Sequence, residues 1–247
     1  MTTPQNHYEH LHHYEHLLAP HYTWMFGMPF GRKVDEQADL LRCAGVRAPG
    51  VAIDLGCGSG FQTLALADLG ASEVHALDTS AALLAELRQH ARGRPVKTYT
   101  ADLTSFDQVV SERANTIVCM GDTLTHLASR KAVAALCVKI ARCLRPGGRM
   151  VLSWRDLSDP PKGLDRFIPV RSDPDRIMTC FLEDHGNTVM VHDLMYFWQN
   201  DAWHSDSSAY PKLKLSASWV RQTLSDAMLP PDFETVARGM VIMSARR

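Results

Sequence analysis

The chain is poor in everything that marks a specialised environment. Of its 247 residues, 8% are aromatic and 21% charged, and 26 Lys+Arg face 27 Asp+Glu for a net charge of −1. A balance this even leaves no broad basic face to displace counterions, which argues against general nucleic-acid binding. No apolar run reaches the roughly 18 residues that a membrane helix needs. The start, MTTPQNHYEH, has no basic patch followed by an apolar stretch, so a secretory signal is not expected. The six cysteines (Cys43, Cys57, Cys119, Cys137, Cys143, Cys180) form no C-x-x-C pair, and Cys119 and Cys137 sit inside apolar runs. That usage excludes a zinc ribbon and argues against a disulfide framework. A reduced, cytoplasmic protein is expected. What the chain does have is 45% hydrophobic residues, enough for one globular domain with a full core.

From residue 49 onward, strand and helix signals alternate. VAIDL (Val51–Leu55) is a short apolar run between two glycines, as expected of a strand buried on both faces. GFQTLALADLG follows as a helix that stops at Gly70, then EVHALD (Glu73–Asp78) as a second strand. Thr79 or Ser80 can cap the next helix. Val96–Thr100 and Asn115–Met120 read as strands three and four. Val133, Leu136, Cys137, Ile140 and Leu144 trace one apolar helix stripe. That helix ends at Pro146-Gly147-Gly148, ahead of a fifth strand at Arg149–Trp154. Such alternation implies an α/β fold, a doubly wound, mostly parallel sheet. After residue 157 the pattern changes. Pro160, Pro161 and Pro169 punctuate a loop, and three strand-like runs separated by polar turns suggest an antiparallel β insertion. Ser216–Met228 reads as a helix and GMVIMSA as a last strand. The expected organisation is a single domain: a helical arm at 1–48, a core at 49–157, a β-rich insertion over the substrate site at 158–215, and a closing helix and strand at 216–247.

The strongest signal is Asp54-Leu55-Gly56-Cys57-Gly58-Ser59-Gly60, directly after the first strand. Glycines there permit a tight turn and close approach of a ligand to the backbone. The helix that follows presents free N–H groups. Asp78 ends the second strand, where a carboxylate can accept both hydroxyls of a ribose. A dinucleotide site wants G-x-G-x-x-G, and the position of its third glycine is Phe61 here. An NAD-dependent dehydrogenase is disfavoured on that ground.

The D-x-G-x-G-x-G spacing resembles the cofactor loop of class I S-adenosylmethionine-dependent methyltransferases. The order of five strands and the Arg-Pro-Gly-Gly turn are also similar to that family. The resemblance implies a seven-stranded Rossmann-like sheet and S-adenosylmethionine as cofactor. It places the sugar on Asp78 and the adenine edge at Asp102 and Leu103, with Asp54, Gly56, Gly58 and Gly60 forming the loop.

Further segments resemble glycine/sarcosine N-methyltransferases. VCMGDTLTHL (Val118–Leu127) is similar to their I-C-L-G-N-S-F-A-H-L. LSWRD (Leu152–Asp156) is similar to their I-D-H-R-N, and the arm from Tyr22 to Leu41 can be laid on theirs without gaps. By position, Arg32 would bind the methionine carboxylate of the cofactor, and Met120 and His126 would line the pocket. Arg155 would clamp a substrate carboxylate, Gly121 and Asp122 would lie beside the substrate, and Tyr22 and Met25 would belong to the arm over the site. Asp122 departs from the family's asparagine. It either neutralises Arg155 or grips a cationic amine. Leu103 stands where the family has an adenine-stacking tryptophan. Asp122 or His126 could take the acceptor's proton.

The implied activity is methyl transfer to a small molecule, at the nitrogen of an amino acid or amine. O- or S-methylation and cofactor binding without turnover are the alternatives. No nucleic-acid or membrane partner is expected, and homo-oligomerisation stays open. The arm carries His7, His10, His12, His13, His16 and His21. Helical spacing would pair some of them, but nothing connects them to the core motifs, and no metal is expected. Trp198 and Trp203 flank a hairpin turn and read as packing or lid residues.

Overall fold

The computed structural model of the protein describes residues 19–247. The histidine repeat at 7–16 lies outside them. The described residues fall into two compact units: residues 29–156 with 215–247, and the chain up to Met28 with Leu157–Lys214.

In chain order, a helical turn at Tyr22–Met25 precedes α1 (Phe30–Cys43). Then come β1 (Val51–Leu55), α2 (Phe61–Asp68), β2 (Glu73–Asp78), α3 (Ala81–His90) and β3 (Val96–Thr100). β4 (Ala114–Cys119), α4 (Arg130–Cys143) and β5 (Leu144–Trp154) complete the run. The second unit holds β6 (Phe167–Ser172), β7 (Arg176–Asp184), β8 (Thr188–Gln199) and β9 (Ala202–Leu213). The chain returns through α5 (Ala217–Asp226), β10 (Pro231–Ala237) and β11 (Met240–Arg246). Among the described residues, no helix is long and apolar enough to cross a membrane.

The first unit is built on a seven-stranded sheet of order β10-β11-β5-β4-β1-β2-β3. All pairs are parallel except those β11 makes with β10 and β5. This is the expected doubly wound sheet. Ala52, Ile53 and Leu55 of β1 and Ile117 and Val118 of β4 are fully buried, because helices cover both faces of the central strands. Each such isoleucine, leucine or valine side chain contributes about 1.5–3 kcal/mol by leaving water. The stripe predicted on α4 (Val133, Leu136, Cys137, Ile140) is its buried face. Ser80 caps α3, its Oγ accepting the Leu83 N–H at 3.2 Å. The chain runs outward from β1 to β3, then crosses back to place β4 on the other side of β1. The switch point therefore lies between the carboxyl ends of β1 and β4.

Three strands differ from the sequence expectation. β6 includes Pro169, which the sequence reading placed in a loop. β6 is an edge strand and its register slips between Pro169 and Arg171, so the missing N–H breaks no ladder. β10 is also an edge, largely exposed, with no apolar alternation strong enough to read. β5 begins at Leu144 rather than Arg149, and a register shift against β4 absorbs the Pro-Gly-Gly segment.

The second unit is an antiparallel sheet of order β6-β7-β8-β9. Its core is Met178, Leu182, Val189, Val191, Met195 and Tyr210, with Trp24 and Met25 packed against it. Trp24 Nε1 donates to Asp173 at 2.6 Å, and the guanidinium groups of Arg171 and Arg176 lie 5.0 and 4.5 Å from its ring centre. Asn200 and Asp201 both have positive φ, which suits a two-residue hairpin turn between β8 and β9. Trp198 and Trp203 pair across it, their rings 5.5 Å apart and edge-to-face.

Candidate active site

The glycine loop leaves β1 at the switch point. Gly56 has φ +74°, and a Cβ there would lie 2.2 Å from Thr123 Cγ2. Gly60 has φ +98° and caps α2, and a Cβ there would lie 2.2 Å from Leu87 Cδ1. Both positions thus exclude any side chain, by conformation and by space. Phe61 is buried and its ring lies 4.7 Å from that of Phe30 on α1. A bulky side chain therefore fills the place where a dinucleotide loop needs its third glycine.

Asp78 ends β2 beside this loop. Its Oδ2 accepts the Gly58 N–H at 2.8 Å and its Oδ1 the Ser80 N–H at 2.9 Å. A carboxylate has about four acceptor positions, so it can orient the loop and still serve a diol. Asp54 lies beneath, 1% exposed, and its Oδ2 accepts from Thr63 Oγ1 at 2.6 Å. Burial pushes its carboxyl up to about 7, the Thr63 hydrogen bond opposes this, and the nearby Asp78 adds to the rise. Asp54 thus ties β1 to α2 and shapes the loop from below.

At the end of β4, Gly121 and Asp122 are both left-handed, with φ +75° and +76°. The Gly121 N–H donates to Ser153 Oγ at 2.9 Å and the Asp122 N–H to the Ser153 carbonyl at 3.3 Å. Asp122 is buried. Its Oδ1 accepts the backbone N–H of Arg155 at 2.6 Å, and its Oδ2 accepts from Arg155 Nη1 at 2.5 Å. Ser153, Thr123 and Thr63 were not singled out in the sequence. Ser153 left a signal, as the only hydroxyl in the apolar run MVLSW, because a buried hydroxyl needs a partner. Beyond β5, Trp154 Nε1 donates to the Leu215 carbonyl at 2.8 Å. Asp156 Oδ2 accepts the Ala217 N–H at 2.9 Å. These bonds secure the point where the chain re-enters the unit.

The remaining candidates distribute as follows. Met120 is buried at the end of β4, and His126 is half-buried at the end of the turn Thr123–His126. Asp102 follows β3 and caps the turn Leu103–Ser105, its Oδ1 accepting from Thr104 N at 2.7 Å and Thr104 Oγ1 at 2.6 Å. Arg32 is exposed in the first turn of α1, two residues from Phe30. Tyr22 and Met25 belong to the second unit, where Met25 packs against the sheet's core.

With this geometry in place, comparison with known proteins is informative. Residues 52–148 match a family described as a methyltransferase domain. The chain is 30% identical over 166 residues to the cypemycin N-terminal methyltransferase of Streptomyces sp, covering 59% of this chain and 65% of that protein. It is 32% identical over 124 residues to the trans-aconitate 2-methyltransferase of Acidovorax sp. (strain JS42), covering 50% and 45%. It is 28% identical over 106 residues to the glycine/sarcosine N-methyltransferase of Halorhodospira halochloris, covering 42% and 39%. The chain thus spans just under two thirds of the first relative and less than half of the other two. Among solved structures, it superimposes on CalS10, an amino pentose methyltransferase from Micromonospora echinaspora, with a TM-score of 0.74. The two are 18% identical, over 93% of this chain and 96% of that one, a likeness that speaks for the fold. Residues 52–148 belong to the methyltransferase domain family, and the sheet around them has the fold of solved methyltransferases.

Proposed function

We propose that the protein transfers a methyl group from S-adenosylmethionine to the amine nitrogen of a small molecule. The observation that carries this reading is Asp78. Its carboxylate ends β2, beside the loop that leaves β1 at the switch point, and is held by the Gly58 and Ser80 N–H groups. An acid so placed suits the two hydroxyls of a ribose, and Phe61 fills the space that a pyrophosphate loop would leave open. The names of the cypemycin, glycine/sarcosine and amino pentose enzymes support nitrogen as the acceptor atom. The trans-aconitate relative supports a second reading, methylation of a carboxylate oxygen.

S-adenosylmethionine, when bound, supplies a methyl group on a sulfonium centre that leaves as a neutral thioether. The chain's own work is to bind, orient and exclude water. Gly56, Gly58 and Gly60 bring backbone close to the cofactor, and Asp78 holds its sugar. In the roles implied by the resemblance, Asp102 and Leu103 border the adenine, Arg32 takes the methionine carboxylate, and Met120 and Gly121 line the pocket. Asp122 or His126 takes the proton that the amine must lose. Holding the nitrogen in line can remove on the order of 7 kcal/mol of barrier. The near-even charge balance favours a small acceptor over nucleic acid as the partner.

Calorimetry tests the reading. S-adenosylhomocysteine is expected to bind and NADH not to, and Asp78→Ala to weaken the former by about 100-fold, since two hydrogen bonds to an ionised acceptor are lost. Binding of NADH alone would refute it.

A further inference from the structure

We infer that the acceptor is an amine with no carboxylate beside the nitrogen, and that Asp122 sets this preference. The inference rests on the methyltransferase reading above.

A guanidinium at the rim of a small-molecule site is an ordinary grip for a carboxylate, because it is always charged and presents a fork of donors. Arg155 stands at such a rim, three residues beyond Leu152 of β5. Asp122 stands three residues beyond Cys119 of β4, and Cys119 and Leu152 are register partners in adjacent parallel strands. The two side chains meet because the sheet makes them meet. Both Asp122 oxygens are engaged with Arg155, one by its backbone N–H at 2.6 Å and one by Nη1 at 2.5 Å.

The pair is asymmetric. The Asp122 side chain is 4% exposed and that of Arg155 is 54% exposed. Asp122 is therefore part of the protein's interior, fixed by the Ser153 contacts to its own and Gly121's backbone. Arg155 is the solvated partner. Drawing its guanidinium toward a substrate carboxylate would break the 2.5 Å ion pair with a buried carboxylate, a costly step. The incoming carboxylate would also approach a like charge. The rim is thus closed to acids. An amine meets a pair of zero net charge whose buried member accepts N–H bonds.

Asn is the informative replacement at position 122. It tolerates the left-handed backbone as well as Asp does, and its Oδ1 can still accept the Arg155 N–H. The charge is removed, and with it any base at this position, so kcat falls for both members of a pair alike while a full positive charge is released at Arg155.

The experiment measures transfer of labelled methyl from S-adenosylmethionine to matched acceptors that differ by one carboxylate. Suitable pairs are ethanolamine against glycine, 2-aminopropan-1-ol against alanine, and 2-amino-2-deoxyglucitol against glucosaminic acid. The wild type should favour the carboxylate-free member in kcat/KM. Asp122→Asn should move the ratio toward the acid by about tenfold or more, chiefly through KM, with affinity for S-adenosylhomocysteine unchanged. A wild-type preference for the acids, or an unmoved ratio in the variant, overturns the inference. Transfer to no member of any pair by protein that binds S-adenosylhomocysteine overturns it too. Failure to bind S-adenosylhomocysteine sinks the underlying reading instead.

Discussion

Replacing Asp54 by Asn should make the protein more stable at alkaline pH and leave it nearly unchanged at acidic pH. Asp54 is 1% exposed, and burial lifts its carboxyl to about 7. In the unfolded chain it would titrate near 3.9. Between these values the native state keeps a proton that the unfolded chain has released. Stability from this group is therefore fully present below about pH 4 and falls as pH rises toward 7. Three pH units at about 1.4 kcal/mol each put the whole effect near 4 kcal/mol, of which about 2–3 kcal/mol falls between pH 5 and pH 8. The full burial leaves little solvent to screen it. Asn is neutral at every pH, and its Oδ1 can still accept from Thr63. Denaturation of cofactor-free wild type and Asp54→Asn should therefore diverge with pH. The stability difference should grow by about 2–3 kcal/mol from pH 5 to pH 8, or roughly 5–10 °C in Tm for a protein of this size. A difference that stays constant with pH would refute the reasoning, because the carboxylate would then already be ionised at pH 5.

Other perturbations give equally direct readings. Gly56→Ala should cost more than about 2 kcal/mol, since its Cβ meets Thr123 Cγ2 at 2.2 Å and φ is +74°. Adding Thr123→Ser should recover only part of the steric cost, since the position 123 Oγ would still lie 2.8 Å from that Cβ, as thermal melts of the single and double variants would show. His21 is held below its ordinary value by partial burial and by the charge of Arg176. A histidine so shifted contributes stability above about pH 6.5 that is lost as pH falls, so His21→Phe should flatten the acid side of the stability profile. Trp24→Ala removes the ring between Arg171 and Arg176 and the bond to Asp173. It should expose the end of the arm to proteolysis before the seven-stranded sheet is cut, which limited digestion with mass spectrometry would register.

The parts of this fold that were legible in the sequence share one physical cause. β1, β2 and β4 are buried on both faces, so they appear as short, nearly continuous apolar runs between glycines and turns. The stripe on α4 is equally direct, since a helix with one buried face must repeat near 3.6 residues. The edges leave no such trace. β6 tolerates Pro169 because its register slips there, and β10 is exposed along most of its length. The glycine loop was legible because backbone geometry demands its composition. Asp102 has a local role besides: its Oδ1 caps the next turn through Thr104. The Asp-x-Thr spacing of that local bond was in the sequence all along.

Asp122 marks the limit of this kind of reading. Position 122 could be singled out as unusual, yet its two readings, neutralising Arg155 or gripping an amine, were equal until the partner was in place. The partner lies 33 residues away, and only the β4–β5 register brings it within hydrogen-bonding distance. That register is set by the fully buried Ile117, Val118 and Val151, not by the pair itself. The fold therefore fixes where these two side chains meet and leaves open which charges they carry. A change at position 122 alters the sign at the rim without touching the core that positions it. Acceptor preference should accordingly move with this residue while cofactor affinity, assigned in the proposed function to the β1 loop and Asp78, does not.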